Sequence, residues 1–196
     1  MTIPLRRPAT PDDAPRLATL LDLAGEGLPR WLWSRMAAPG EDPMEFGAQR
    51  AARESGGFSY RHAQVACDAQ GSAVSMLLGY RLGPAEDEAE ILALPAQLQP
   101  LLRLEGLASG SWYVNAVATL PEWQGQGLGS SLLASAEQRA RDAGCRELSL
   151  IVASENTGAV RLYRRLDYVE SGRAPVIEFP GCLHAGDWVL MRKRID

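Results

Sequence analysis

The sequence predicts an α+β fold: a mixed, mostly antiparallel twisted sheet of six to seven strands, flanked by helices, with one strand–helix–strand crossover at its centre. The first half of the chain carries helical patterns followed by two adjacent strand patterns, and the second half alternates strand and helix patterns. A chain of 196 residues has the length of one domain. We therefore expect a single domain over residues 1–196.

Apolar periodicity and capping residues define the elements of the first half. Residues 3–7 predict a short strand, and a helix follows in which Thr10 is the cap and Pro11 lies in the first turn. Residues 26–56 predict further short helices, one of them capped by Asp42. Two strand patterns joined around Gly71 predict a hairpin. Residues 83–110 predict an irregular insertion with a short helix near residues 101–105.

The second half has clearer boundaries. Residues 111–119 are rich in β-branched and aromatic residues and predict a strand, and apolar residues at helical spacing then run to Gly144, where a helix would stop. Residues 147–152 predict a buried strand, and a helix capped by Asn156 follows it. Because one helix connects them, strands 111–119 and 147–152 should be parallel neighbours. Two final strands are predicted at residues 168–179 and 187–195.

Composition disfavours several kinds of partner. The chain carries 20 Lys and Arg against 24 Asp and Glu and has no basic block, which argues against a nucleic acid or an anionic membrane as partner. No apolar run has the length of a membrane span, and the first residues lack the apolar core of a signal peptide. The three cysteines are unclustered, as is typical of packing residues in a reducing compartment. We expect a cytoplasmic protein, and a homodimer is compatible with the sequence.

Three glycines at alternate positions, Gly125, Gly127 and Gly129, lie between a predicted strand and a predicted helix. They indicate a sharp turn that a ligand approaches closely, and the first turn of a helix offers free N–H groups and a favourable dipole to an anion. A phosphate-binding P-loop requires a lysine that this stretch lacks. A dinucleotide-binding turn requires a third glycine where Ser130 lies, and its acidic residue should end the next strand, whereas Glu147 begins it. Both of these sites are excluded by their residues.

Two motifs resemble those of the GCN5-related N-acetyltransferases, the GNAT superfamily. Gln124-x-x-Gly127-x-Gly129 is similar to the pyrophosphate loop of that superfamily, and Asn156-x-x-Ala159-x-x-Leu162-Tyr163 is similar to its second motif. The resemblance extends over about residues 113–168. The chain departs from the pattern at Asp167, where members usually have glycine, but aspartate tolerates a left-handed backbone better than most residues.

This resemblance implies an enzyme that uses acetyl-CoA as co-substrate and passes the acetyl group directly to a primary amine, without a metal or a covalent enzyme intermediate. Tyr163 would protonate the departing thiolate as general acid, and Asn115 would hold the acceptor or a water. The residues implied to contact acetyl-CoA lie at the strand end, in the glycine turn and on the second motif: Val117, Ala118, Thr119, Gln124, Gly125, Gln126, Gly127, Leu128, Gly129, Ser130, Asn156 and Tyr163. Asn156 and Tyr163 also have structural interpretations, as a helix cap and as a core side chain.

The sequence leaves the general base and the acceptor open. Neither Tyr113 nor Asn115 is a competent base at neutral pH, so the base could be Glu105, Glu170, His184 or a chain of waters. The resemblance implies that the helical segment at about residues 26–56 forms the acceptor side. Four of its residues could line an acceptor site, although their spacing is more typical of core: Trp31, Trp33, Met36 and Phe46. Because no base is evident, the alternative to an enzyme is a non-catalytic acyl-CoA-binding sensor or regulatory module.

Overall fold

The computed structural model describes residues 5–195. Within this range the strands are β1 (Leu5–Pro8), β2 (Ala63–Cys67), β3 (Ala73–Arg81), β4 (Trp112–Thr119), β5 (Glu147–Ala153), β6 (Val169–Pro175) and β7 (Asp187–Arg194). The α-helices are α1 (Ala14–Ala24), α2 (Leu28–Met36), α3 (Pro43–Ala51), α4 (Glu88–Leu92), α5 (Gln99–Leu107), α6 (Leu128–Asp142) and α7 (Thr157–Arg165). The beginning of the first predicted strand, residues 3 and 4, lies outside the described residues.

The described strands form one seven-stranded sheet in the order β1-β2-β3-β4-β5-β7-β6. Strands β4 and β5 are parallel, with Trp112 opposite Leu148 and Val114 opposite Leu150. The pairs β1–β2, β2–β3, β5–β7 and β6–β7 are antiparallel. The α+β fold with a mixed sheet is therefore confirmed, and so is the parallel pairing across the crossover that α6 makes.

Contacts group the described chain into two compact units. The first comprises residues 5–79 and Ala116–Ala136, and the second comprises Tyr80–Asn115 and residues 137–195. In the first unit, β2 and β3 form the predicted hairpin, and Gly71 adopts the left-handed backbone of its turn, with φ of +84°. The carboxylate of Asp42 caps α3 by accepting a hydrogen bond of 2.8 Å from the N–H of Met44.

The core of the helical segment contains one of the four candidate acceptor-site residues. Trp33 on α2 is 2% exposed and packs against Gly47 on α3, where an added Cβ would collide with the indole ring. Met36 is exposed, while Trp31 and Phe46 are partly buried beneath the guanidinium groups of Arg35 and Arg50. Trp33 therefore belongs to the core, as its helical spacing indicated.

The second unit holds the end of the crossover and the last strands. Helix α6 ends at Asp142, and Gly144, two residues later, has φ of +71°, which permits the left-handed turn. The N–H of Cys145 donates to the carbonyl of Ala140 at 2.8 Å. The first of the two final strands is shorter than expected: β6 ends at Pro175 rather than near residue 179.

The insertion between β3 and β4 is more helical than predicted. Residues 83–110 contain α4 in addition to α5, and α5 is longer than the expected short helix. The carboxylate of Asp87 caps α4 by accepting a hydrogen bond of 2.8 Å from the N–H of Ala89. The two prolines and the acidic run of this stretch obscured the Asp87 cap in the sequence. None of the helices in the described part of the chain combines the length and apolar character that a bilayer-spanning helix requires.

Candidate active site

The glycine turn connects β4 to α6 through a tight backbone path. After Thr119 the chain makes a short 3-10 turn over Pro121–Trp123, and α6 begins at Leu128. Gly125 and Gly127 have φ of +74° and +77°, in the left-handed region that favours glycine. The backbone itself therefore requires glycine at these two positions.

Side chains fix the end of β4 beneath this turn. The amide of Gln124 donates to the carbonyl of Thr119 at 3.1 Å. The hydroxyl of Ser75 on β3 donates to the carbonyl of Ala118 at 2.9 Å and lies 2.8 Å from the hydroxyl of Thr119. The Gln124 bond thus spans the 3-10 turn and ties its end back to β4.

The first turn of α6 presents N–H groups without helical partners. The N–H of Ser131 donates to the carbonyl of Gly127 at 3.0 Å, so the N–H groups of Leu128, Gly129 and Ser130 precede the first intrahelical bond. The positive end of the helix dipole lies at the same place and favours an anion there. A Cβ on Gly129 would have Thr119 Oγ1 as its nearest neighbour, at 3.9 Å, so the protein leaves this space open.

Sequence reasoning missed a cation beside the turn. Arg6 on β1 donates through Nη1 to the hydroxyl of Ser131 at 2.8 Å and to its carbonyl at 3.2 Å. The guanidinium adds positive charge next to the N-terminus of α6. No local signal could have identified Arg6, because it lies 125 residues from its partner in the chain.

Helix α7 carries the two residues of the second motif. Asn156 caps the helix, with its side-chain oxygen accepting a hydrogen bond of 3.1 Å from the N–H of Ala159. Tyr163 is 8% exposed and meets the ring of Tyr168 edge on, with centroids 5.9 Å apart. Asn156 therefore acts as a cap, and Tyr163 packs among core residues. Asp167 has φ of +65°, which confirms that aspartate takes the left-handed position usually held by glycine.

Four polar side chains of the second unit form a cluster at α5, β3 and β4, which we call the tyrosine–glutamate cluster: Tyr80, Glu105, Tyr113 and Asn115. The rings of Tyr80 and Tyr113 meet edge on, with centroids 6.1 Å apart. The amide of Asn115 donates to the hydroxyl of Tyr80 at 3.4 Å. Tyr113 also interacts with the carboxyl group of Glu105, and this interaction shifts the pKa of both groups. Glu105, one of the three candidate bases, therefore interacts with Tyr113 in this cluster.

The ionisation of Glu105 is perturbed. Burial raises the pKa of this carboxyl group to about 7 from its ordinary 4.5, the interaction with Tyr113 lowers the pKa, and the charge of Glu86 raises it. Burial also raises the pKa of Tyr80 and of Tyr113 well above 10, and the negative charge of Glu105 adds to both shifts. Both tyrosines are therefore neutral hydrogen-bond donors at neutral pH.

The other two candidate bases lie elsewhere in the second unit. Glu170 on β6 is exposed and accepts hydrogen bonds of 3.0 and 3.1 Å from Arg173. His184 lies in the loop between β6 and β7, with Nδ1 3.4 Å from a carboxylate oxygen of Glu155. Among residues 5–195, no group of three or more His, Cys, Asp or Glu side chains is arranged to hold a metal ion.

Sequence relatives match a part of the chain. An aminoglycoside N(6')-acetyltransferase type 1 of Stenotrophomonas maltophilia is 38% identical over 69 residues, which are 35% of this chain and 42% of that protein. The chain spans between 19% and 51% of the lengths of the curated relatives it matches.

Solved structures are similar along nearly the whole chain. The apo form of an agmatine N-acetyltransferase mutant has a TM-score of 0.66 at 17% identity, covering 99% of this chain and 100% of that one. A protein from Salmonella typhimurium solved with its cofactor acetyl-CoA has a TM-score of 0.59 at 16% identity, covering 100% of this chain and 95% of that one. At these identities the similarity establishes the fold.

The family follows from a match that includes both motifs. A sequence model described as the acetyltransferase (GNAT) family matches residues 30–168. This stretch runs from α2 to Tyr168 and contains the glycine turn, Asn156 and Tyr163. Because the match covers well over half of the chain, this chain belongs to the acetyltransferase (GNAT) family.

Proposed function

We propose that this protein is an acetyl-CoA-dependent N-acetyltransferase that moves an acetyl group directly to a primary amine. The observation that carries the proposal is the turn between β4 and α6, where N–H groups at a helix N-terminus follow two glycines in the left-handed region. Turns of this kind bind phosphate groups. Membership of the GNAT family makes the pyrophosphate of acetyl-CoA the anion expected there.

The residues of the turn fit this ligand. A Cβ on Gly125 or Gly127 would meet no atom within 4 Å, and one on Gly129 would have nothing nearer than 3.9 Å. Backbone N–H groups from Gly125 to Ser130 would hold the pyrophosphate, with Gln124 fixing the loop. The backbone of Val117, Ala118 and Thr119 would hold the pantetheine arm, and Asn156 would help to hold the same arm.

When bound, acetyl-CoA supplies an activated acetyl group and a thiolate as leaving group. Tyr163 would donate its hydroxyl proton to that thiolate. Asn115 would hold the acceptor or a water through its amide. A backbone N–H of β4 would stabilise the negative charge that develops on the carbonyl oxygen.

The acceptor is proposed to be a cationic or neutral amine. The names of two related proteins specify an aminoglycoside and agmatine, both of which are amines. The net charge of −4 favours a cationic molecule over an anionic one. A cytoplasmic location is part of the proposal, and it rests on the unclustered cysteines.

The experiment is a panel of acceptors incubated with acetyl-CoA while the release of free thiol is followed. The panel contains agmatine, an aminoglycoside, a lysine-containing peptide and a peptide with a free N-terminus. Thiol release that depends on one of these amines, with the acetylated product identified by mass spectrometry, is the expected result. A protein that binds acetyl-CoA but acetylates nothing in the panel would instead be an acyl-CoA-binding sensor or regulatory module.

A further inference from the structure

We propose that a cavity at the beginning of β5 binds a phosphate group, either as the free ion or as part of a small molecule. The cavity has a volume of about 430 Å³, within the range of roughly 300–1,000 Å³ that is typical of small-molecule sites. Its lining residues are Arg146, Glu147, Arg192, Arg194 and Ile195. The proposal is independent of acetyl transfer and concerns a second site on the same chain.

The cavity lies at the end of the sheet where β5 begins and β7 ends. Glu147 is paired with Arg194 across these antiparallel strands. The N–H of Ile195 donates to the carbonyl of Arg146 at 3.0 Å and so holds the two chain segments together. Asn156 of the second motif follows the other end of β5, and the seven residues of this strand span roughly 20 Å. The cavity is therefore separate from the second motif.

The alternation of side chains along β7 divides the charges of its basic run between the two faces of the strand. Lys193 donates to the carboxylate of Glu137 on α6 at 2.7 Å, so its charge is neutralised on one face. Arg192 and Arg194 are two residues apart and line the cavity on the other face. Two guanidinium groups of the run are thus directed to one site, and Arg146 adds a third.

The cavity holds more positive charge than its own residues neutralise. The carboxylate of Glu147 accepts a hydrogen bond of 2.5 Å from Nη2 of Arg192. Arg146 and Arg194 are exposed, and no carboxylate in residues 5–195 forms an ion pair with either of them. Three guanidinium groups against one carboxylate leave the lining with a net charge of +2, although the whole chain carries −4. This local excess favours an anion as the ligand.

Arg192 has a donor that the described part of the protein does not use. Its Nε is buried and lacks a hydrogen-bond partner there, while Nη2 is held by Glu147. A buried donor without an acceptor is costly, and such groups in native proteins often have a water or an ion as the partner. An oxygen of a bound phosphate is a suitable acceptor, because the same side chain lines the cavity.

A phosphate group fits this lining better than a carboxylate does. A guanidinium group presents its N–H donors as a planar fork that matches two oxygens of one anion. A carboxylate has only two oxygens, whereas a phosphate monoester has three terminal oxygens and can accept from arginines on different sides. Its charge near pH 7 is close to −2, which balances the lining. The buried side chain of Ile195 supplies an apolar wall for an organic substituent.

The test follows the backbone amide resonances of ¹⁵N-labelled protein near pH 7.5 in titrations with inorganic phosphate, glycerol 3-phosphate and acetate. Local resonances are needed because phosphate should also bind the turn between β4 and α6. Both phosphates should shift the resonances of Glu147, Arg194 and Ile195 with a saturable Kd, and acetate at the same concentrations should not. Tighter binding of glycerol 3-phosphate would identify an ester as the ligand, tighter binding of inorganic phosphate would identify the free ion, and either result supports the site.

Two outcomes of these titrations would overturn the proposal. If neither phosphate shifts the three resonances at concentrations up to about 10 mM, the cavity is not a phosphate site. If acetate binds there as tightly as phosphate, the lining does not select a phosphate group. Acetyl transfer is measured separately, so neither outcome bears on the proposed function.

Variants of the lining residues should change the affinity in opposite directions. Arg146→Gln and Arg194→Gln each remove one guanidinium group and should weaken phosphate binding about tenfold or more, without changing the shifts in the turn between β4 and α6. Glu147→Gln removes the competing carboxylate and should tighten binding about threefold or more. Arg16→Gln is the matched control, since it removes an exposed arginine of α1 outside the cavity. With folding checked by circular dichroism, unchanged affinity in both arginine variants or weaker binding in Glu147→Gln would overturn the site.

Discussion

Tyr163 has a structural role in its ring and a proposed chemical role in its hydroxyl group, and the two can be separated. The ring is nearly buried and meets Tyr168 edge on. The end of α7 is held by the backbone, because the N–H of Tyr168 donates to the carbonyl of Tyr163 at 3.0 Å. Removing the hydroxyl should therefore leave the packing of this helix largely intact.

Replacing Tyr163 by phenylalanine should slow turnover by roughly 10²- to 10⁴-fold, the effect typical of a positioned acid. The affinity for acetyl-CoA should change much less, because the lost interaction forms mainly in the transition state. Steady-state kinetics and calorimetry measure the two quantities. Tyr168→Phe is the control, since it removes a hydroxyl from the other ring of the same pair. Unchanged turnover in Tyr163→Phe would remove this residue from the mechanism.

Glu105 should also leave a signature in the stability of the protein. Its pKa is about 7 in the folded protein and 4.5 ordinarily, so between these values the folded state holds a proton that the unfolded chain releases. The contribution of Glu105 to the free energy of unfolding is thus fully present below about pH 4.5 and is lost as the pH rises through 7.

The loss should amount to about 3 kcal/mol, given 1.36 kcal/mol per pKa unit. Urea unfolding of the parent and of Glu105→Gln between pH 4.5 and 8 measures it as a difference, in which the other titrating groups cancel. The stability of the parent relative to the variant should fall across this window. A constant difference would show that the Glu105 carboxyl group has an ordinary pKa.

At the scale of the element, the connection from β4 to α6 separates two reasons for glycine. Gly125 and Gly127 are required by a left-handed backbone, so substitutions there strain the turn itself. Gly129 lies in the helix without a positive φ, and its added Cβ would meet nothing within 3.9 Å. A side chain at this position would occupy only the space proposed for the pyrophosphate.

Gly129→Val is therefore the sharper test of the cofactor site. It should leave the circular dichroism spectrum of the protein without ligand unchanged and abolish the thermal shift caused by acetyl-CoA. Ala134→Val places the same β-branched side chain on an exposed position of α6 and controls for helix propensity. If Gly129→Val binds acetyl-CoA as tightly as the parent, the glycine has only a structural purpose.

At the scale of the whole molecule, acetyl-CoA should stabilise the folded chain by mass action. At 100 times its Kd, a ligand that binds only the folded state adds about 2.7 kcal/mol to the free energy of unfolding. For a protein of this size, that corresponds to a rise in Tm of roughly 5–10 °C. Differential scanning fluorimetry against acetyl-CoA concentration measures the rise. A Tm independent of concentration would contradict the assignment of the turn as a cofactor site.

The sequence by itself determined the features that depend on near neighbours in the chain. The glycine turn, the Asn156 cap and the left-handed Asp167 each depend on a few consecutive residues, and each has the backbone conformation that those residue types favour. The parallel pairing of β4 and β5 was also predictable, because a single helix connects them. Helix α4 was missed, since its only local signal was the cap at Asp87 within an acidic run.

Only the tertiary structure decided which distant side chains meet and how they ionise. Arg6 reaches Ser131 across 125 positions of the chain, and Tyr80 meets Asn115 across 35. Glu105 was one of several candidate bases in the sequence, and only the fold brings its carboxyl group into interaction with Tyr113. Burial then raised its pKa to about 7, a shift that depends on the desolvation created by the folded chain. That desolvation cannot be read from neighbouring residues in the sequence, because it depends on how distant segments pack around Glu105.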